Sequence, residues 1–333
     1  MSNQWIRRVG LTLTSGGKAL DLSQLQIKFN TTQMDAQGGA LPSARIRVYN
    51  LKDATVRQIQ QEYTDVILQA GYINGNYGAI FTGTINMIRV GRLSTIDSYV
   101  DILATDGDIG SRYQLANVSL PPGSTPQQFA DQVGKNMAKA NLQVDTTGLA
   151  GANVVYIRGK TAWGLASVAL ENVATSNYGT YSVVNSVMKF NKLDGYAAGA
   201  AVVLNSGTGL IGVPESTVEG IELVCLLNPK LQLGGRIQIN NADINQTTVK
   251  AAGYPTIGNL PFFAATAADG VYRALVIEHQ GDTRGQEWYT NITALSLDGQ
   301  SGKVSPYGHQ GVPAKGSTNP GGIGVDSSVK GPR

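Results

Sequence analysis

Short runs of β-branched, aromatic or alternating residues fill most of this sequence, and tight-turn signals separate them. Asp-Gly steps at positions 106, 194, 269 and 298 are typical of such turns. The runs are Ile46 to Val48, Val66–Leu68, Ile80–Ile85, Tyr99–Ala104, Val183–Val187, Leu223–Leu227, Arg236–Ile239, Tyr272–Glu278 and Trp288–Leu297. Many short strands in this rhythm favour barrels or sandwiches over a parallel sheet. We therefore predict a mainly β fold of the α+β class.

Three segments carry a helical pattern instead. We predict helices over Asp53–Glu62, Thr125–Asn141 and Thr161–Ser176, because apolar residues recur at helical spacing and capping residues stand at the ends. A strand-like stretch, Asn153–Arg158, separates the second and third helices. Residues 118–195 are therefore expected to form a helix-containing unit between two β-rich stretches.

The two β-rich stretches resemble each other in sequence. Tyr99–Ala104 matches Tyr289–Ala294, and an Asp-Gly step follows each. Two upstream matches keep the same order: Leu68–Gly71 with Leu231–Gly234, and Gly78–Phe81 with Gly270–Arg273. Amphipathic strands share a general likeness, and that likeness is the alternative explanation. We take the common order as a prediction of duplication.

The net charge is confined to one part of the chain. The net charge of +3 comes from residues 301–333, which hold four basic residues and one acidic residue, whereas residues 1–300 hold 22 of each sign. A neutral body lacks the general electrostatic footprint of a protein that binds nucleic acid or anionic membranes. Gly, Pro and Ser make up 17 of the last 33 residues, which predicts a flexible C-terminal arm.

No apolar run approaches the length of a membrane span, and we predict that the stretch after Arg7 and Arg8 is not a secretory signal. The single cysteine, Cys225, lies in an apolar run, where it is expected to be a small buried side chain. One cysteine excludes an intrachain disulfide framework and fits synthesis in a reducing cytoplasm.

Motifs that could carry chemistry lack their usual context. Gly207–Gly212 satisfies G-x-G-x-x-G, but Pro214 follows where a helix should begin, so we interpret it as a linker. Asp106-Gly107-Asp108 lacks the further oxygen ligands of a calcium loop. The two histidines, His279 and His309, have no second ligand at metal-binding spacing.

One polar cluster is denser. Glu278, His279, Asp282, Arg284 and Glu287 fall within ten residues. They are expected to surround a β-hairpin turn over Gly281–Gly285, with an acid–base or carbohydrate-contact loop as the functional alternative. We therefore predict no catalytic, cofactor-binding or metal-binding residue and no bound cofactor, and a building block rather than an enzyme.

The order of several motifs resembles the baseplate hub proteins of phage tails, the late control protein D group, which is related to the hub portion of type VI secretion spikes. The motifs are Ala44–Leu51, Val66–Tyr72 and Ile80–Ile85 for the opening domain, Ser124–Pro126 and Gly159–Trp163 for the inserted domain, and Val224–Pro229, Gly234–Ile239 and Tyr272–Gly285 for the second barrel.

The resemblance implies two tandem barrels shaped like tail-tube subunits, with an α/β domain between them. The expected boundaries are 1–117 for the first barrel, 118–215 for the middle domain and linker, 216–300 for the second barrel and 301–333 for the arm. It further implies a homotrimer whose six pseudo-equivalent barrels form a ring that opens for DNA ejection.

The implied partners are the tail tube protein, the central spike protein and other baseplate proteins, with DNA only in transit through the lumen. The implied location is the virion baseplate, after assembly in the host cytoplasm. Two alternatives stay open. One is a virion-associated cell-wall or capsule hydrolase that uses the Glu278–Glu287 loop, and the other is a carbohydrate-binding β module with Trp288 and Tyr289 exposed.

Overall fold

Strands dominate the computed structural model, which describes residues 4–34, 41–149, 154–193, 195–217, 220–244, 267 and 270–297. The strands are β1 Arg7–Ser15, β2 Lys18–Asp21, β3 Ile27–Met34, β4 Ser43–Tyr49, β5 Asp65–Tyr72, β6 Tyr77–Arg92, β7 Ser98–Thr105, β8 Leu115–Leu120, β9 Gln143–Asp145, β10 Lys160–Leu165, β11 Gly179–Val184, β12 Val187–Lys192, β13 Val202–Val203, β14 Leu210–Ser216, β15 Ile221–Leu226, β16 Arg236–Gln238, β17 Val271–Asp282 and β18 Trp288–Ser296. The α-helices are α1 Asp53–Glu62, α2 Asp108–Tyr113, α3 Pro126–Ala138 and α4 Ala166–Ser176. The predicted mainly β fold is confirmed, while the predicted arm at 301–333 lies outside the described residues.

One large sheet joins both β-rich stretches. Its strand order is β14-β15-β18-β17-β3-β4-β7-β6-β5-β1-β2. Strand β16 pairs with the start of β17, on the edge that β3 occupies further along, and β13 pairs with β16. The described strand pairs form an open path and do not close a separate barrel around each β-rich stretch. Strand β3, at one edge of the first stretch, pairs along its outer edge with β17 of the second stretch.

Within this sheet the same five-stranded module occurs twice. The first module has the order β3-β4-β7-β6-β5 and the second has β14-β15-β18-β17-β16, with every neighbouring pair antiparallel. The registers also agree, since Ile102 of β7 lies opposite Ile46 and Ile292 of β18 lies opposite Leu223. The sequence match between Tyr99–Ala104 and Tyr289–Ala294 therefore falls on equivalent strands.

A β-bulge recurs at the same place in both modules. In the first, Ala104 faces Ile85 and Leu103 faces Met87, so that one residue of β6 is left over. In the second, Ala294 faces Ala274 and Thr293 faces Val276. A bulge bends its strand and ends one pairing before another begins. Each bulge therefore divides its long strand in two. The first part of β6 pairs with β5 and the first part of β17 pairs with β16, and the rest of each strand lies beyond the bulge.

The two upstream sequence matches are wrong in register. Asp65 pairs with Thr84 and Arg236 pairs with Arg273, at equivalent places in the two modules. This alignment makes Leu68 the counterpart of Ile239 rather than of Leu231. Short apolar runs occur too often in a sequence to define an alignment across loops of unequal length. The hydrogen-bonded ladder between two strands, in contrast, defines the partner of each residue.

Three buried clusters support the fold. The first lies under the first module, but it also contains Leu227 and Trp288 of the second. The second fills the middle unit, where Phe129 of α3 and Leu170 of α4 are fully buried. The third lies under the second module and contains Cys225.

The middle unit agrees with part of the predicted pattern. Helix α3 begins at Pro126 with a capping box between Thr125 and Gln128. The helix predicted over Thr161–Ser176 begins only at Ala166, because residues 160–165 form β10 and pair with β8. The strand predicted over Asn153–Arg158 is wrong over its described residues, where a single bridge joins Tyr156 to Ser124. In the described part of the chain, no helix is long and apolar enough to cross a membrane.

Candidate functional site

The predicted polar cluster lies on the β17–β18 hairpin, but its side chains do not converge. Strand β17 runs two residues into the predicted turn, to Asp282, whereas β18 begins only at Trp288. Asp282 Oδ1 accepts the backbone N–H groups of Arg284 and Gly285 at 2.9 and 3.0 Å, which makes it a turn residue. Glu287 forms an ion pair with Lys28 at 2.8 Å.

Glu278 and His279 are adjacent strand residues and therefore point to opposite faces of the sheet. Glu278 is half-buried on the outer face, whereas His279 is 2% exposed on the inner face. Burial lowers the pKa of His279 to about 4, so the imidazole is neutral at pH 7. An acid–base pair needs both groups at one reacting atom, and this geometry separates them.

The turn itself is held by β1, the strand that pairs with β5 of the first module. Arg7 of β1 donates hydrogen bonds to three carbonyl oxygens of the turn: 3.2 Å to Asp282, 2.6 Å to Gly285 and 2.9 Å to Gln286. Its guanidinium also lies 5.5 Å from the ring centroid of Trp288. Trp288 is only 1% exposed, so it cannot act as an open stacking platform for a sugar.

The remaining sequence candidates have structural roles. The G-x-G-x-x-G motif begins in a loop that Asn205 closes, because its Oδ1 accepts the N–H groups of Gly207 and Thr208. The motif then continues into strand β14. A pyrophosphate site needs a helix N-terminus at that point. Cys225 is buried as predicted, and burial raises the pKa of its thiol to about 12.

Asp106 is a buried anchor rather than a cation ligand. Its carboxylate accepts the backbone N–H of Ser186 at 2.9 and 3.0 Å and the Ser186 hydroxyl at 3.0 Å. Burial raises the pKa of Asp106. Asp108, two residues on, pairs with Arg112 of the same helix at 2.8 Å. Over the described ranges, no cluster of three or more His, Cys, Asp or Glu side chains could hold a metal ion.

The structure joins the two modules along one junction, formed by β17 and β3. Strand β17 pairs with β3 over seven residues, from Val276 opposite Met34 to Asp282 opposite Lys28. A buried polar row crosses this junction on the inner face, where His279 lies between Thr31 of β3 and Thr290 of β18. His279 Nδ1 lies 2.9 Å from Thr290 Oγ1.

The polar contacts continue from that row to the far side of the first module. Thr290 Oγ1 accepts the N–H of Asn228 at 3.1 Å, and Asn228 Oδ1 accepts from Asn76 in the β5–β6 turn at 3.2 Å. This hydrogen-bonded chain, buried at His279 and Thr290 and partly buried at Asn76, fixes the two modules in one relative position. Sequence reasoning missed it, because its members are up to 214 residues apart and only the strand register aligns them.

Comparison with known proteins agrees with this architecture. The family model described as baseplate hub gp41 matches residues 8–255. The 43 kDa tail protein of prophage MuSo2 from Shewanella oneidensis has 9% identity and a TM-score of 0.53, over 88% of this chain and 97% of that one. The tail protein from Neisseria meningitidis MC58 also has 9% identity and a TM-score of 0.53, over 87% of this chain and 96% of that one.

A third structure, the E. coli c3393 component of the type VI secretion system, has 8% identity and a TM-score of 0.47, over 86% of this chain and 76% of that one. A comparison with curated protein sequences finds no match. The first two structures have the same fold as this chain, and the family model spans well over half of the sequence. The chain therefore belongs to the baseplate hub gp41 family.

Proposed function

We propose that this chain is a structural hub of a phage tail baseplate, in which three copies form a ring of six similar modules. The observation that carries the proposal is the repeated five-stranded module, with its common strand order and its common bulge. A ring closed by heterologous contacts needs units of like shape, and a chain with two such units supplies six in a trimer.

In this proposal the ring adapts a six-fold tail tube to a three-fold central spike. The tube protein binds one face and the spike protein the other, with further baseplate proteins around the rim. The central passage opens when the spike leaves, and DNA passes through it only in transit. The protein is assembled in the host cytoplasm and ends in the virion.

Each segment of the chain has its own role in this proposal. We assign residues 1–117 and 216–300 to the two tube-like units, 118–215 to the middle domain and linker, and 301–333 to an arm that contacts the spike or a neighbouring baseplate chain. Removal of 301–333 should leave the ring intact and weaken spike attachment; unchanged attachment would refute the arm's role.

We propose no catalytic step for this chain. The supporting observation is the dispersal of the densest polar cluster, with His279 buried on one face and Glu278 on the other. In assays against peptidoglycan or capsule, the purified protein should match a Glu278→Gln/Glu287→Gln variant. Activity that this double substitution abolishes would overturn the structural role.

The test of the ring is its symmetry and mass. Native mass spectrometry should give three times the 35.1 kDa chain, and averaged particle images should have three-fold symmetry with six similar lobes. A protein that stays monomeric at every concentration, and in the presence of spike protein, would contradict the proposal.

A further inference from the structure

The two modules carry opposite charges at equivalent positions on the outer face of the sheet. The registers of β4 with β7 and of β15 with β18 make Arg45 the counterpart of Glu222. The registers of β6 with β7 and of β17 with β18 make Arg89 the counterpart of Glu278. At both positions, therefore, the repeat keeps the strand and the face of the sheet but reverses the charge.

In the first module these arginines belong to a basic cluster around one carboxylate. Asp101 of β7 lies opposite Arg47 of β4 on one side and opposite Arg89 of β6 on the other. Its carboxylate accepts hydrogen bonds from Arg47 at 2.6 and 2.9 Å and from Arg45 at 2.8 Å. Three guanidinium groups and one carboxylate leave this part of the face with an excess of positive charge.

Two of the three arginines are accessible to a partner. The side chain of Arg45 is 59% exposed. Arg89 is also exposed, and in the described part of the chain it forms no ion pair; its Nε–H lies against the sulfur of Met87 at 3.1 Å. Arg47 is more enclosed, with its guanidinium 4.0 Å from the ring centroid of Tyr99. Arg45 and Arg89 can therefore bind a further carboxylate.

Apolar groups lie between the two accessible arginines. Met87 of β6, 47% exposed, lies opposite Leu103 of β7, and Leu103 lies opposite Arg45. The ring of Tyr99 lies against Gly91, where an added Cβ atom would be 2.6 Å from the ring carbon Cζ. Arginine, methionine and tyrosine are enriched at protein–protein interfaces. We call this surface the arginine face, and it consists of Arg45, Met87, Arg89, Tyr99 and Leu103.

We propose that the arginine face binds a protein segment that carries carboxylates beside apolar side chains, with one segment for each chain and three for each ring. This inference rests on the proposed ring and specifies the chemistry of its three-fold partner, the spike. A three-fold partner on six similar modules must distinguish alternate ones. Arg45 and Arg89 attract such a segment, whereas their counterparts Glu222 and Glu278 disfavour it, because like charges brought together at an interface suppress binding.

The charges around the arginine face favour a protein segment over nucleic acid. Glu278 lies on the same face of the sheet, only two strands from Arg45 across β3. Neighbouring strands are about 4.8 Å apart. A DNA duplex lying across the sheet would therefore bring its phosphates close to Glu278, and to Glu222 further along. A short acidic segment can contact the arginines alone.

The test compares charge reversals at equivalent positions of the full-length protein. Calorimetry would measure binding of the purified spike protein of the same phage. Arg89→Glu should weaken binding by about tenfold or more, because it places a carboxylate against the carboxylates of the partner. Arg89→Lys keeps the charge and should retain most of the affinity. The matched control, Glu278→Arg, changes the counterpart in the second module and should not weaken binding.

Three further measurements accompany the affinities. Circular dichroism and native mass should be the same for Arg89→Glu and the wild type; if that variant fails to fold, Arg45→Gln replaces it, since Arg47 still holds Asp101. Added salt should weaken binding of the wild type more than that of Arg89→Glu, because salt screens exposed charges. A short DNA duplex, titrated in the same way, should not bind.

The outcomes separate this contact from the ring itself. Weaker spike binding by Arg89→Glu, with Glu278→Arg unaffected in a trimeric protein, supports the proposed contact. It is overturned, and the ring left standing, by a trimer that binds no spike protein, that responds equally to both substitutions, or whose arginines bind the DNA duplex instead. A protein that stays monomeric throughout, with spike protein present, overturns both.

Discussion

The indole of Trp288 meets the ring of Phe29 edge-on, with the ring centroids 5.5 Å apart and the planes inclined by 75°. Phe29 belongs to the first module and Trp288 begins the last strand of the second, yet both lie in the first buried cluster. Edge-to-face pairs of this kind add to the stabilisation from area burial alone. The second module therefore contributes to the core beneath the first.

Trp288→Ala should lower the free energy of unfolding by about 3–5 kcal/mol, because it removes a large buried ring from a packed core. Chemical denaturation followed by circular dichroism would measure the change. Trp163→Ala is the matched control, since Trp163 is 85% exposed on β10 and its loss should change stability little. Equal effects of the two substitutions would contradict the shared core.

Gly281 lies between the same two rings. A Cβ atom added there would lie 2.6 Å from Phe29 and 2.7 Å from Trp288. Gly281→Ala should therefore cost about 1–3 kcal/mol through overpacking. Gly78→Ala in β6 is the control, because its Cβ would meet Pro229 at an ordinary 3.6 Å. Thermal or denaturant unfolding of both variants would settle the comparison, and a neutral Gly281→Ala would show that the rings can separate.

His279 should make stability depend on pH between about 4 and 6.5. Its pKa is lowered from 6.5 to about 4 by burial, so the unfolded chain binds a proton in this range and the folded chain does not. Stability contributed in this way is complete above pH 6.5 and falls as the pH drops, by about 3 kcal/mol in total at 1.36 kcal/mol per unit.

The measurement is the free energy of unfolding from pH 4 to 7.5 for the wild type and for His279→Gln. Carboxylates titrate in both proteins, so the difference between the two curves isolates the histidine. Parallel curves over this range would mean that His279 is accessible to protons in the folded state.

Asp101 should be the most costly carboxylate to neutralise in the first module. Burial raises its pKa, but hydrogen bonds from Arg47 and Arg45 outweigh burial and lower it overall. The contacts are 2.6 and 2.9 Å to Arg47 and 2.8 Å to Arg45. Asp101→Asn should lower the free energy of unfolding by about 2 kcal/mol, since charge-assisted bonds are lost at a buried site.

The control for Asp101 is Glu62→Gln, which breaks the exposed pair between Glu62 and Lys18. Exposed ion pairs contribute little because water screens them, so stability should hardly change. High salt should reduce the small Glu62 effect more than the Asp101 effect. The reverse order would mean that Asp101 is solvated.

Local patterns predicted local structure well. Helix α1 occupies the predicted Asp53–Glu62 with Val56 and Ile59 buried, because its apolar spacing and its surroundings agree. The predicted start of α4 was wrong. Ala162 and Ala166 have helical spacing, but residues 160–165 have alternating burial and pair with β8 as a strand. Tertiary pairing overrode the helical pattern there.

Long-range relationships were only partly accessible. Tyr99–Ala104 and Tyr289–Ala294 revealed the repeat because each is the central strand of its module, where pairing on both sides constrains every residue. The junction left no comparable signal, because the contact between His279 and Thr31 depends on a register that no short segment encodes. No sequence pattern predicts that Trp288 packs beneath the other module.

The presence of β3 and β17 in the same polypeptide chain also affects the kinetics of assembly. Because both strands belong to one chain, their pairing is a first-order step whose effective concentration is set by the connecting chain and does not depend on protein concentration. Only contacts between separate chains are second-order. In the proposed trimeric ring of six modules, each folded chain would already contain one junction, so that three of the six junctions exist before assembly and three contacts between chains complete the ring.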